Sequence, residues 1–187
     1  MPHLVESLQR MVDIEVACPE QWPEHQKHTF WMQQALKVAD YSEQLGEVPV
    51  GAVAVMKDRL VSVGWNASIS THDPTAHAEL MALREAGQHL QNYRQPQVTL
   101  YVTLEPCPMC AGAMVHARVK QLVYGAPDLK TGAVDSVFGL LNDHRLNHQV
   151  PVIGGVLETE CREQLQAFFR RRRAEKKLEK KLKQEAD

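Results

Sequence analysis

The sequence predicts an α/β fold in which a β-sheet lies between layers of helices. Segments with helical periodicity alternate along the chain with short runs of apolar, β-branched residues, a pattern typical of strands covered by helices. The chain has 187 residues, 44% of them hydrophobic, which is enough for one well-packed core. No repeat or low-complexity linker divides it, so we expect a single domain at residues 24–183. An N-terminal extension of unknown role at 1–23 precedes this domain, and a short tail at 184–187 follows it.

The first predicted elements are a helix and a β-hairpin. Apolar residues recur at helical spacing in residues 24–45, and Gly46 follows them as a C-cap glycine would. Residues 48–56 are almost continuously apolar, and a polar turn separates them from an alternating run at 60–65. These two runs predict a hairpin whose first strand is buried on both faces.

The middle of the chain predicts a helix, a strand and a second, short helix. A polar loop leads into a helix from about residue 76 to residue 90, with Thr75 as its N-cap. Residues 98–104 predict a buried strand, and the short helix that follows ends near residue 116. Prolines are tolerated at the start of that helix because the missing N–H would be unpaired there anyway.

The last elements are two strands and a long helix. Residues 121–125 and 150–153 predict the strands, and residues 158–183 predict the helix. The helix begins with acidic residues and ends with basic ones, as its macrodipole favours. Its apolar face fades after Phe169, so we expect the last turns to project from the domain.

The net charge of −2 conceals an uneven distribution. Residues 170–187 contain nine Lys or Arg against four Asp or Glu, whereas the rest of the chain is acidic. A basic segment of this kind is suited to a polyanion. The N-terminus lacks the basic and apolar regions of a leader, and no run approaches the roughly 20 apolar residues of a membrane span. We therefore expect a soluble cytoplasmic protein with no membrane segment.

Two short stretches concentrate the reactive side chains: His-Ala-Glu at residues 77–79 and Pro-Cys-Pro-Met-Cys at residues 106–110. Each lies at a predicted helix start, where unpaired N–H groups and the helix dipole favour thiolates. His77, Cys107 and Cys110 suit a tetrahedral zinc ion, and a site with three protein ligands leaves the fourth position for water. That open position indicates catalysis.

Glu79 is the carboxylate of this motif. Two thiolates cancel the charge of a zinc ion and make it a weaker Lewis acid than zinc held by three imidazoles, so the water needs a base. Because Glu79 is not a ligand, it can accept the proton and return it to a leaving group. On a regular helix, residues two apart point roughly 200° apart, so His77 and Glu79 converge only from a distorted or first-turn position.

The combination of the two stretches is more specific than either one. A Cys-x-x-Cys pair alone also fits a redox pair or half of a structural zinc site. Here Cys107 lies 28 residues after Glu79, and the sequence has no other Cys-x-x-Cys pair that could complete a structural site. The other cysteines, Cys18 and Cys161, are isolated and indicate no disulfide framework. We therefore predict a catalytic zinc.

The His-x-Glu and Pro-Cys-x-x-Cys arrangement resembles the zinc-dependent cytidine and adenosine deaminase superfamily. Further stretches are similar to the bacterial tRNA adenosine deaminases, over about residues 24–183. These stretches are EVPVGAV at 47–53, GWN at 64–66, HDPTAHAELMA at 72–82, YVTLEPCPMCAGA at 101–113, GAPDLKTG at 125–132 and FFR at 168–170. Pro127 departs from the family, which more often has a charged residue there.

The resemblance implies a three-layer α-β-α sandwich around a five-stranded mixed sheet, and a homodimer. It implies hydrolytic deamination of the wobble adenosine in a tRNA anticodon loop to inosine, with release of ammonia. One zinc ion per subunit would be held by His77, Cys107 and Cys110, with Glu79 as the proton shuttle. Asn66 and Ala78 would contact the target nucleotide.

The resemblance also implies RNA contacts outside the catalytic pocket. Asp128 and Lys130 lie in a loop similar to the RNA-facing loop of the family, and a solvated turn is the alternative interpretation. Phe168, Phe169 and Arg170 combine aromatic surface with charge for phosphates, as RNA-binding surfaces do. The two phenylalanines fit a dimer core as well.

Two other functions remain open. One is a deaminase of free nucleobases or nucleosides such as cytosine, guanine or cytidine, which would share the metal motif. The other is a non-catalytic, zinc-stabilised RNA-binding module, for which the acidic body of the chain is an unusual choice. The basic C-terminal segment and the extended similarity favour the tRNA substrate.

Overall fold

A five-stranded mixed sheet forms the centre of the protein, whose computed structural model describes residues 12–186. The strands are β1 (Gly51–Met56), β2 (Arg59–Trp65), β3 (Thr99–Leu104), β4 (Gln121–Ala126) and β5 (Val152–Ile153). Their order across the sheet is β2-β1-β3-β4-β5. β1 runs antiparallel to both of its neighbours, whereas β3, β4 and β5 are parallel. The predicted mixed sheet is confirmed.

Helices cover both faces of this sheet. They are α1 (Glu24–Gln44), α2 (Ser68–Thr71), α3 (Ala78–Leu90), α4 (Pro108–Ala117) and α5 (Glu158–Ala186), with a 3₁₀ turn at Leu140–Asn142. Residues of α1 and the start of α5 share one apolar core with alternate residues of β1, β3 and β4. Residues of α3 and α4 share the other core with the intervening strand residues. This division confirms the three-layer sandwich.

The hairpin and the end of α1 follow from local sequence. Lys57 and Asp58 adopt positive φ angles of 51° and 56°, as the central residues of a type I′ turn do. This two-residue turn matches the twist of β1 and β2 and places Met56 opposite Arg59, and the register of the two strands shifts once, between Ala54 and Val55. Gly46, at φ 80°, ends α1 as predicted.

The predicted N-cap of the helix that begins near residue 76 is wrong. α3 begins at Ala78, and its N-cap is His77 in extended backbone, at φ −83° and ψ 151°. Thr75 instead donates its N–H and its hydroxyl to Asp73 Oδ1, each at 2.7 Å. Because the Thr75 hydroxyl takes part in this short-range turn, that hydroxyl is not available to cap α3.

A close approach fixes the start of α3 on the sheet. A Cβ atom at Gly64 in β2 would lie 2.1 Å from the carbonyl oxygen of Ala78. Only glycine allows the backbones of β2 and α3 to come this close. The first turn of α3, which carries His77 and Glu79, is therefore held directly against the end of β2.

The described part of the N-terminal extension packs against the domain. Val16 O accepts a hydrogen bond from Leu60 N at 2.8 Å, and Cys18 N donates to Asp58 O at 3.1 Å. Ile14 and Cys18 are buried in the α1 core. Residues 12–18 thus lie along the turn end of the hairpin, whereas residues 1–11 of the predicted extension lie outside the described residues. Within residues 12–186, no helix is both long and apolar enough to cross a membrane.

Candidate metal centre

The structure brings the three predicted ligands together. Nδ1 of His77 lies 3.7 Å from Sγ of Cys107 and 3.6 Å from Sγ of Cys110, and the two sulfurs are 3.7 Å apart. Ideal tetrahedral zinc, with the usual bond lengths, places two sulfurs about 3.8 Å apart and a sulfur about 3.6 Å from a nitrogen. The triangle of donor atoms therefore has the size that zinc requires. Among residues 12–186, no other cluster of His, Cys, Asp and Glu offers a metal three ligands.

Two helix starts position these ligands. Cys107 is the N-cap of α4, with extended backbone at φ −73° and ψ 171°, and Pro108 follows as the first helical residue. Cys110 lies in the first turn of the same helix, and His77 is the N-cap of α3. The N-terminal ends of both helices thus face the metal position, where their dipoles stabilise the thiolates.

Hydrogen bonds among the three candidate ligands shift the pKa of each one. Hydrogen bonds from Cys110 and His77 lower the pKa of Cys107 to about 4, although its burial opposes the shift. The hydrogen bond to Cys107 raises the pKa of His77, and the same contact with Cys107, together with burial, raises the pKa of Cys110. A bound dication would displace the protons of His77 and Cys110 and take both thiolates and a neutral imidazole as ligands.

Glu79 is buried beside this triangle. Glu79 lies in the first turn of α3 and is 4% exposed. This burial raises the pKa of its carboxyl group. Because His77 has extended backbone before the helix begins, the angular separation of a regular helix does not apply to the pair. A buried carboxyl group with a raised pKa is suited to accept and release a proton near neutral pH.

Asn66 lies next to the start of α3. Its Oδ1 accepts a hydrogen bond from Ala78 N at 3.0 Å, which satisfies the first N–H of the helix. Its Nδ2 group has no hydrogen-bond partner within the described residues, so it remains able to donate to a ligand. Ala78 is fully buried, and its N–H is used by Asn66. The nucleotide contacts of Asn66 and Ala78 stay predictions.

The loop at residues 127–136, called the 127–136 loop below, follows β4. The carboxylate of Asp128 accepts hydrogen bonds from Lys130 N at 2.9 Å, Thr131 N at 3.2 Å and Thr131 Oγ1 at 2.6 Å. Its acceptors therefore serve the turn of its own loop. The Lys130 side chain is exposed and lines a cavity of about 440 Å³, called the basic basin below. The RNA contacts of Asp128 and Lys130 stay predictions.

The basic basin also collects residues from α5. Phe169, Arg170 and Arg173 line it opposite Lys130. Phe169 is 41% exposed, whereas Phe168 is 6% exposed and packs edge-on against it. The structure thus places Phe169 and Arg170 at the surface and Phe168 in the interior, and their predicted RNA contacts are untested.

Sequence analysis missed two buried carboxylates beside the site. Glu47 is 1% exposed, and it accepts hydrogen bonds from Ile69 N at 3.1 Å and Ser70 N at 2.7 Å. Glu105 is 2% exposed and binds backbone N–H groups of the 127–136 loop. For Glu105, the available signal was its position directly after the buried strand β3, where a solvated charge is not expected.

Comparisons with known proteins agree with this geometry. The model of the cytidine and deoxycytidylate deaminase zinc-binding region matches residues 25–126. A tRNA-specific adenosine deaminase of Haemophilus influenzae is 55% identical over 152 residues, which cover 81% of this chain and 88% of that protein.

Solved structures are similar as well. A structure from a study of A-to-I editing by tRNA:A34 deaminases at the wobble position is 40% identical with a TM-score of 0.70, covering 73% of this chain and 99% of its own. Guanine deaminase from Bacillus subtilis is 37% identical with a TM-score of 0.52, covering 54% of this chain and 64% of its own. The fold is therefore cytidine deaminase-like, and the metal triangle lies within residues 25–126, which the zinc-binding family model matches. The chain belongs to the zinc-dependent cytidine and deoxycytidylate deaminase family.

Proposed function

We propose that this protein is a tRNA adenosine deaminase that converts the wobble adenosine of an anticodon loop to inosine and releases ammonia. The observation that carries the proposal is the zinc-sized triangle of His77, Cys107 and Cys110 with the buried Glu79 beside it. The relative from Haemophilus influenzae supports adenosine in tRNA as the substrate. One zinc ion per subunit fits the three ligands.

Each residue of the site has a separate role in the proposed reaction. Zinc, when bound, supplies a Lewis-acidic position at which water is activated. Glu79 accepts one proton from that water and delivers it to N1 of adenine, then accepts the second proton from the hydroxyl group formed at C6 and delivers it to the departing amine. Water replaces the amino group at C6, so one C–N bond breaks, one C–O bond forms and ammonia leaves. Asn66 donates from its free Nδ2 group to the target nucleotide and holds it in place.

The basic basin supports an anticodon stem-loop as the ligand. Of the four consecutive arginines, Arg171 pairs with Glu43 and Arg172 with Glu175. Arg170 and Arg173 line the basin, and neither has an ion-pair partner within the described part of the chain. Two arginines and a lysine around an exposed phenylalanine offer charge for phosphates and a surface for stacking a base. Because tRNA is the proposed substrate, we place the protein in the cytoplasm.

We also propose that the protein is a homodimer. An apolar groove of about 580 Å³ lies between α3 and α4, lined by residues that include Leu80, Leu83, Tyr93 and Ala113. Tyr93 is 71% exposed at its edge. A second copy of the chain would cover this apolar surface. Ala113→Arg, which places a charge in the groove, should shift sedimentation from dimer to monomer, and a wild-type monomer would refute the proposal.

Deamination assays on several substrates test the proposed function. Purified zinc-loaded protein should convert an anticodon stem-loop with adenosine at the wobble position, and sequencing of the product should report guanosine there. The same stem-loop with adenosine at another loop position is the matched control. Conversion of free guanine or nucleosides alone would support the free-base alternative, which the similarity to guanine deaminase favours. RNA binding without any turnover would support the non-catalytic module.

A further inference from the structure

Glu105 is a buried carboxylate that the proposed chemistry does not use. It follows β3 and precedes Pro106 and Cys107, so it lies in the segment that leads to the metal ligands. The residue is 2% exposed, and no Lys or Arg within residues 12–186 forms an ion pair with it. A buried charge without a counter-ion must be stabilised by hydrogen bonds.

The hydrogen-bond donors to the Glu105 carboxylate all belong to the 127–136 loop. Oε1 accepts hydrogen bonds from three consecutive N–H groups, at 3.1 Å from Val134, 2.8 Å from Asp135 and 2.9 Å from Ser136. Oε2 accepts from Asp128 N at 2.9 Å and from the hydroxyl of Ser136. One side chain thus ties the beginning of the loop to its end.

Gly132 and Ala133 also lie close to the segment that leads to Cys107. A Cβ atom at Gly132 would lie 2.5 Å from the carboxylate of Glu105, so only glycine lets the loop close around it. Ala133 N donates to Pro106 O at 2.8 Å. The position of the loop is therefore set by residues that adjoin the metal ligand Cys107.

The loop that Glu105 holds carries Lys130 to the basic basin. Lys130 lies within the loop, between the Asp128 and Val134 contacts, and its side chain lines the basin opposite Phe169 and Arg170 of α5. α5 packs on the sheet through contacts with β4. The Glu105 anchor therefore helps to set the distance between Lys130 and the α5 side of the basin.

We propose that Glu105 is a positioning residue for RNA: its carboxylate anchors the 127–136 loop so that Lys130 faces Phe169 and Arg170 across the basin. The inference rests on the proposed function, because it takes the basin as the place where the stem-loop binds. Glu105 acts through the loop and does not touch the RNA. It sets the affinity for the stem-loop, and it leaves the chemical step to Glu79 and the metal.

The arrangement requires a carboxylate and not an amide. Five donors point at the two oxygens of Glu105. Glutamine keeps one oxygen and replaces the other by an NH₂ group. If the NH₂ group replaces Oε1, three N–H groups of the loop lose their acceptor; if it replaces Oε2, Asp128 N loses its acceptor and the Ser136 hydroxyl turns to accept from the NH₂ group. Each such donor left unsatisfied in a buried site destabilises the anchored loop.

The test compares Glu105→Gln with Glu160→Gln, which changes an exposed carboxylate on α5. A milder variant, Ser136→Ala, removes only the hydroxyl hydrogen bond and keeps the charge. Binding is measured with a stem-loop that carries inosine at the wobble position, so that no reaction intervenes. We expect Glu105→Gln to retain one zinc per chain, to exchange the amides of residues 134–136 faster, and to raise Kd roughly 10-fold, with Ser136→Ala intermediate.

A double-mutant cycle separates positioning from general stability. Lys130→Ala should raise Kd in the wild-type background and should have almost no further effect in the Glu105→Gln background, because Lys130 is already displaced. Additive losses would refute the proposal, since Glu105 would then act independently of Lys130. Loss of zinc in Glu105→Gln would also refute it and would assign Glu105 to the metal centre.

These readouts remain informative if the proposed function fails. Absence of deamination by the wild type would overturn the reaction, whereas the binding cycle needs no turnover. An unchanged Kd together with faster amide exchange would refute the inference about RNA while leaving the deaminase reaction intact.

Discussion

The substitution Glu79→Gln separates the proton-transfer role of Glu79 from metal binding. Glutamine has nearly the same shape as glutamate but cannot accept and return a proton. Glu79 is not one of the three groups in the donor triangle, so the ligand set stays complete. The variant should therefore bind zinc with the wild-type stoichiometry.

The size of the effect follows from the position of Glu79. General acid–base catalysis by a positioned side chain contributes typically about 10²–10⁴-fold. Glu79 is 4% exposed, so bulk water has little access to replace it, and the proposed reaction uses it for more than one transfer. We expect kcat to fall by at least about 10⁴-fold, which corresponds to about 5.4 kcal/mol in the activation free energy.

Although kcat should fall, the thermal stability of the zinc-free protein should not decrease in Glu79→Gln. Burial raises the pKa of Glu79, so folding works against its charged form. An uncharged glutamine avoids that cost, and the Tm of the zinc-free variant should equal or exceed that of the wild type.

Single-turnover deamination of an anticodon stem-loop, with zinc content measured on the same samples, checks this prediction. Glu85→Gln changes a carboxylate further along α3, paired with His89, and serves as the matched control. A Glu79→Gln variant that keeps more than about a hundredth of the wild-type kcat would refute the assigned role, because that loss is smaller than typical acid–base catalysis provides. Loss of zinc would show instead that Glu79 supports the metal.

Three further predictions concern the metal, the RNA surface and pH. Cys107→Ala should lose zinc and activity together, since it removes one corner of the donor triangle; retained stoichiometric zinc in elemental analysis would contradict the ligand assignment. Arg170→Ala with Arg173→Ala should reduce the slope of log Kd against log salt for a stem-loop by about 1.5, and an unchanged slope would remove the basin from the RNA surface. Burial lowers the pKa of His28 below 6.5, so its contribution to the unfolding free energy is complete above pH 6.5 and declines as the pH falls below it. Denaturant unfolding of wild type and His28→Gln across this range checks the sign, and identical pH slopes would contradict it.

Local patterns in the sequence predicted the long helices, the strands and the three candidate metal ligands, whereas α2 (Ser68–Thr71) lies in a stretch predicted to be a polar loop. The turn at Lys57 and Asp58 and the end of α1 at Gly46 depend on the φ angles that a few adjacent residues adopt. The Cys-x-x-Cys pair spans less than one helical turn, so the local backbone alone brings its two sulfurs together. Fold class and metal site could thus be predicted because their signals lie within short windows.

The start of α3 and the walls of the site depended on tertiary structure. His77 is the N-cap because β2 and α3 meet at Gly64 and because Asn66, 12 residues before Ala78, accepts from the first N–H of the helix. The anchor at Glu105 joins residues 23 to 31 positions apart, and the basic basin combines the 127–136 loop with α5. Such pairs leave no period or spacing in the sequence, since the sheet topology alone decides which distant backbone groups meet. The sequence by itself therefore determined the chemistry of the centre, and the tertiary structure decided how the surrounding loops are held.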